Sequence, residues 1–229
     1  MERKIDPVLK RWKESESDKV LVITGCRQIG KTYSVRELGK TYASFIELNL
    51  EDNPSQRELF TGDISSESIL EKLSFIPGIN IVDGNTLLFI DEIQAFPDAI
   101  SSLKSLAQSK RIHVIASGSL LGLKLSKLRK RKISKKDDEE KRRLSPKGYT
   151  KTVTMHSMDF EEFMWALGIS HKVTSGIREC INGRKPMDGF VLKKTEELFR
   201  KYLVVGGMPQ AVEAYVSTND YGKVLDSLD

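Results

Sequence analysis

Val20-Leu-Val-Ile-Thr24 runs directly into Gly25-Cys26-Arg27-Gln28-Ile29-Gly30-Lys31-Thr32. The first five residues are β-prone and show no polar alternation, the pattern of a strand buried on both faces of a parallel sheet. The next eight satisfy Gly-x-x-x-x-Gly-Lys-Ser/Thr in the context that spacing requires, a strand before and a helix after. Glycines at both ends of the loop permit positive φ and leave no Cβ between the backbone amides and an anion. A helix starting at Lys31 aims its positive dipole end at the same place. Lys31 offers a cation to the β- and γ-phosphates of a nucleotide, and the Thr32 hydroxyl is a hard oxygen ligand suited to Mg2+. The eight residues from Gly25 to Thr32 are therefore the expected nucleotide-binding loop, with Cys26 a small filler within it.

Four further strands are expected at 44–50, 87–90, 112–116 and 152–155. Helical patterns lie between them. One runs from Lys31 to Leu38, with Gly39 expected as the left-handed residue that closes it. Ser68-x-x-Glu71 has the spacing of a capping box. Ala99, Ile100, Leu103, Leu106 and Ala107 fall on one helical face. Strands alternating with helices imply βαβ units and right-handed crossovers, hence an α/β fold.

The strand at 87–90 delivers Asp91 and Glu92 at its C-terminal end, where ligands collect in open parallel sheets. Asp91 is expected to share a Mg2+ shell with Thr32, largely through water. Glu92 is the candidate base for an attacking water, with Lys31 taking up developing charge. The neighbouring strand ends in Ser117-Gly118-Ser119, and the hydroxyls of Ser117 and Ser119 are candidates to contact the γ-phosphate or that water. No Asn-Lys-x-Asp or Thr-Lys-x-Asp guanine-reading sequence occurs, which favours ATP over GTP.

The 229 residues are 39% hydrophobic and 30% charged, enough to bury a core without disulfide staples. Two cysteines, Cys26 and Cys180, and three scattered histidines exclude a disulfide framework and a zinc finger. No apolar run approaches the length of a membrane span, and Met-Glu-Arg-Lys-Ile-Asp has no apolar signal core. A cytoplasmic protein with no membrane partner is expected. The net charge of +5 is uneven: residues 124–143, beginning at Lys124 and ending at Arg143, hold eleven Lys and Arg against four Asp and Glu, an excess of seven. The remainder is slightly acidic. A run so poor in apolar residues is expected to form a mobile surface loop over 124–148. Contact with nucleic acid or another polyanion is the sharper alternative.

Beyond residue 157 the pattern turns helical. Asp159-Phe160-Glu161-Glu162 opens a helix with the stripe Phe160, Phe163, Met164 and Leu167, closed by Gly168. Phe190, Val191, Leu198, Phe199, Tyr202 and Leu203 mark a longer one. Gly206-Gly207-Met208-Pro209 is a turn, with Pro209 able to open the next helix. The expected division is a nucleotide-binding core over 1–157 and an incomplete helical region over 158–229.

The order GCRQIGKT, LLFIDEIQ, IASGSLLG, MDFEEF and VVGGMPQAV resembles the AAA-type P-loop ATPases that carry a C-terminal DUF4143 region. The resemblance implies an AAA+-like sheet of five parallel strands flanked by helices, ATP and Mg2+ as ligands, and self-association as in ring-forming relatives. It also implies a helical region that continues past residue 229. In many relatives a Gly-Arg or Gly-Lys pair precedes the MDFEEF-like motif, whereas here Gly148 is followed by Tyr149. A basic group for the γ-phosphate then has to come from Arg27, Arg142, Arg143 or another subunit. ATP hydrolysis by in-line water attack is the expected function, with an ATP-gated regulatory or nucleic-acid-binding switch of low turnover as the alternative.

Overall fold

Residues 1–15, 19–118 and 148–228 are described by a computed structural model. Their elements run α1 (Asp6–Glu14), β1 (Val20–Thr24), α2 (Lys31–Gly39), β2 (Ser44–Asn49), α3 (Ser66–Ser74), β3 (Thr86–Asp91), α4 (Pro97–Ser109), β4 (His113–Gly118) and β5 (Thr150–Thr154). Helices α5 (Phe160–Ala166), α6 (His171–Asn182), α7 (Gly189–Val205), α8 (Pro209–Thr218) and α9 (Tyr221–Asp226) follow. Ser119 and the basic run 124–143 lie outside the described residues, as do Arg142 and Arg143.

The chain divides into two compact units. One comprises Pro7–Arg27 and Lys31–Met155. The other gathers Met1–Asp6, Gln28–Gly30 and His156–Asp229.

In the first unit the five strands form one parallel sheet in the order β2-β3-β4-β1-β5. Every residue of β1 and β3 is buried, which is why neither strand shows polar alternation. The outer strands β2 and β5 are partly exposed and carry the polar residues. Val22, Ile46, Leu88, Ile90, Val114 and Ala116 of the sheet pack in one cluster with Ile69 and Leu73 of α3 and Leu103 and Leu106 of α4. Leu21, Ile23, Leu87, Phe89 and Ile115 alternate with these and point to the opposite face, where they are equally inaccessible.

Two local expectations change. The cap of α3 is Ser65, whose Oγ accepts from the Ser68 amide at 3.3 Å; Ser68 is the donor rather than the cap. Gly39 is the last residue of α2, without positive φ. Its requirement is steric: a Cβ there would stand 2.6 Å from the Phe45 ring at the start of β2.

The second unit has its own core of Met158, Phe163, Val205, Ala211, Val212, Tyr215 and Val224. Phe163 is flanked by the rings of Tyr202 and Tyr215, with centroids at 5.4 and 6.2 Å. Asp159 caps α5 in a complete capping box with Glu162. Gly206-Gly207 acquires a reason: Gly206 has φ +76°, and a Cβ on Gly207 would lie 2.2 Å from the Met158 carbonyl oxygen. The Met158 amide donates to the Gly207 carbonyl at 2.7 Å, so two backbones touch where only glycine fits.

Candidate nucleotide site

Parallel pairing brings the site to one end of the sheet. Ile90 is in register with Ala116, and Ile23 with Ser117, so Asp91, Ser117 and the start of the Gly25 loop emerge beside one another. Gly25 at φ 157° is nearly extended, whereas Gln28 and Gly30 take left-handed φ of 61° and 91°. Glycine meets that requirement at residue 30 without strain; Gln28 meets it as a side-chain-bearing residue. Ile29 between them is buried.

Lys31 is buried at 5% exposure, with Nζ donating to the carbonyls of Cys26 at 2.6 Å and Gly25 at 3.3 Å. The ammonium therefore sits at the entrance of its own loop. Thr32 Oγ1 donates to Asp91 Oδ2 at 2.6 Å. The other Asp91 oxygen, Oδ1, accepts from the Ser117 hydroxyl and from the Glu92 amide, the latter at 3.0 Å. Asp91 and Ser117 are both buried, so this carboxylate is held by three donors in a low-dielectric position.

Glu92 adopts φ 49° and ψ 45°, a left-handed turn between β3 and the short 3-10 helix Ile93–Ala95. Its carboxylate accepts from Gln94 Nε2 and is only partly buried. Cys26 is exposed. Arg27 forks onto Glu51 at 2.8 and 2.9 Å on the surface. Those hydrogen bonds, then the charges of Glu51 and Glu92, raise its pKa.

Of the residues singled out by sequence, Thr32, Asp91 and Ser117 thus form one hydrogen-bonded cluster, Glu92 adjoins it through its backbone, and Lys31 turns to the carbonyls of its own loop. Arg27 is engaged elsewhere. Ser117 turns its proton to Asp91, a partnership that sequence alone does not disclose because it depends on which strands are neighbours. Gln94 was legible only as part of Asp-Glu-Ile-Gln.

The donor set suits a hard cation. Giving its proton to Asp91 leaves the Thr32 oxygen lone pairs free, and Asp91 and Ser117 add further oxygens. Among the described residues no three or more His, Cys, Asp or Glu side chains gather into a metal cage. A sparse oxygen cluster at a phosphate loop is the arrangement that Mg2+ completes with phosphates and water.

Residues 17–164 match the AAA domain family. The chain belongs to that family. This AAA domain protein is 28% identical over 209 residues to the uncharacterized protein MJ1637 of Methanocaldococcus jannaschii, across 89% of the chain and 41% of that protein. The chain therefore spans about two fifths of the curated relative it matches. The Walker-type ATPase PABY2304 of Pyrococcus abyssi shares the fold, with a TM-score of 0.51 at 15% identity over 98% of the chain and 70% of that structure. Family membership supports an ATP-binding, ATPase-like function. No helix among the described residues is long and apolar enough to cross a membrane.

Proposed function

We propose that the chain binds ATP with Mg2+ at the Gly25–Thr32 loop and hydrolyses the γ-phosphate by in-line attack of water. The observation that carries this reading is the 2.6 Å contact between Thr32 and Asp91, which joins the loop to the acidic strand end. The loop amides and the N-terminus of α2 receive the phosphates. Lys31 exchanges the Cys26 and Gly25 carbonyls for phosphate oxygens of greater charge. Thr32 and Asp91 would hold the cation, which would supply neutralisation of phosphate charge. Ser117 fixes Asp91 in place. Glu92 orients the water and accepts its proton, and the Gln94 hydrogen bond sets the direction of that carboxylate.

The helical region over 158–229 is proposed as the beginning of a larger, DUF4143-type C-terminal region appended to the 1–157 core. Exposed Phe190, Leu203, Val204 and Leu225 in α7 and α9 are consistent with further packing partners. The sequence of residues 124–143 favours a second reading, an ATP-gated contact with nucleic acid or another polyanion. Binding to duplex DNA that falls steeply and log-linearly between 50 and 200 mM salt would support it; absence of binding at low salt removes it.

The test of the main reading is phosphate release without any added acceptor, which also separates hydrolysis from transfer to a small molecule. The parent protein is expected to release phosphate in a Mg2+-dependent manner. Glu92→Gln is expected to retain ATP binding and to lose roughly 100-fold or more of the turnover, the scale of a general-base contribution. Equal release from parent and variant would remove Glu92 from the mechanism.

A further inference from the structure

Arg3 lies in the polar N-terminal segment, yet it is only 5% exposed. Each of its three guanidinium nitrogens makes a hydrogen bond. Nε donates to Glu162 Oε1 at 3.0 Å, one terminal nitrogen to the Ile29 carbonyl at 2.7 Å and the other to the His156 carbonyl at 2.8 Å. Glu162 is buried as well, accepts from the Lys4 amide at 2.7 Å and closes the capping box of α5 through the Asp159 amide at 3.1 Å. The residues concerned all belong to the compact unit formed by Met1–Asp6, Gln28–Gly30 and His156–Asp229.

A buried ion pair of this kind is weak evidence for stability, because desolvation offsets its Coulomb gain. Its geometry is more informative. The Ile29 carbonyl and the Gly30 amide are two ends of one planar trans peptide, so they point in opposite directions. Gripping the carbonyl from one side fixes the Gly30 N–H on the other. Gly30 immediately precedes Lys31, and its amide is one of those the phosphate loop presents. This peptide turns about ψ of Ile29 and φ of Gly30, and glycine at φ 91° restricts that rotation little, so the hold on the carbonyl supplies the constraint.

We infer that Arg3 is a positioning residue for the phosphate loop, and that through Glu162 it couples the orientation of the Gly30 amide to the N-terminal cap of α5. The inference rests on the nucleotide-binding reading above. A planar fork with several donors suits this task, and a lysine, with one compact ammonium, cannot grip two carbonyls and a carboxylate in the same plane. Coupling of this kind is reciprocal: a nucleotide that stabilises the held form of the loop also stabilises the capped form of α5.

Hydrogen exchange of the purified protein with and without ATP and Mg2+ tests this, together with ATP titrations. In the parent, ATP is expected to slow exchange of the amides at 28–32 and also of those at 160–166. Arg3→Ala leaves a buried carboxylate unpaired and threatens folding, so the informative variant is Arg3→Met combined with Glu162→Gln, which removes both charges. That double variant is expected to bind ATP about tenfold more weakly and to lose the ATP-dependent protection at 160–166 while keeping some at 28–32. Arg3→Lys is expected to fall on the weak side despite its charge. Protection of 28–32 without 160–166 in the parent would overturn the coupling. Parental affinity in the double variant and in Arg3→Lys would overturn the positioning role. No protection anywhere in the parent would overturn the nucleotide-binding reading itself, and this inference with it.

Discussion

Asp91 shows how much a single side chain is asked to do. One oxygen receives the Thr32 hydroxyl, the other the Ser117 hydroxyl and the Glu92 amide, and the residue is 5% exposed. Three donors offset the desolvation of a buried carboxylate and fix its direction before any ligand arrives. Tyr42 and His113 illustrate a structural counterpart. Burial pushes the Tyr42 phenol upward, so it keeps its proton, and its hydroxyl is hydrogen-bonded to His113 Nδ1 at 2.7 Å. Burial, with Lys13 nearby, pushes the His113 imidazole below its ordinary value near 6.5. The unfolded chain therefore takes up a proton at this residue before the folded one does. Stability owed to neutral His113 is complete above pH 6.5 and is lost as the pH falls below it towards the depressed folded value. Urea unfolding between pH 7.5 and 5 should show this loss in the parent and a shallower slope in His113→Gln. Equal slopes would mean that His113 does not titrate in this manner.

Among the elements, the central strands and the phosphate loop were legible in the sequence because both are dictated locally. Residues 20–23 and 87–90 of these strands are apolar without interruption since they are covered on both faces, and glycine and lysine spacing identifies the loop without tertiary knowledge. What escaped depended on contacts between distant parts of the chain. Gly39 yields to the Phe45 ring, Gly207 to the Met158 carbonyl, Ser117 to the strand beside it, and Arg3 to the Ile29 carbonyl. Helices α1 and α6 are not evident in the sequence, because each buries only two residues, Leu9 and Trp12 or Thr174 and Ile177, too few to mark an apolar stripe. Sequence spacing puts the start of α3 three residues late, since Ser68-x-x-Glu71 imitates a cap that Ser65 provides. Ser65→Ala is expected to cost about 1 kcal/mol in urea unfolding, whereas Ser68→Ala should stay within about 0.5 kcal/mol. The reverse order would restore Ser68 as the cap.

At the scale of the molecule, a parallel α/β sheet carries the candidate site at its C-terminal edge, and a helical unit with a separate aromatic core follows it in sequence. The central claim is that the Gly25–Thr32 loop receives a nucleotide triphosphate through Lys31 and its backbone amides. Calorimetric titration with ATP in the presence of Mg2+ addresses it most directly, comparing the parent with Lys31→Ala. Saturable binding in the parent and loss of at least about 100-fold in affinity in the variant, the worth of a buried charged contact of roughly 3 kcal/mol, is the predicted result. An unchanged affinity in Lys31→Ala, or no binding to the parent, would contradict it.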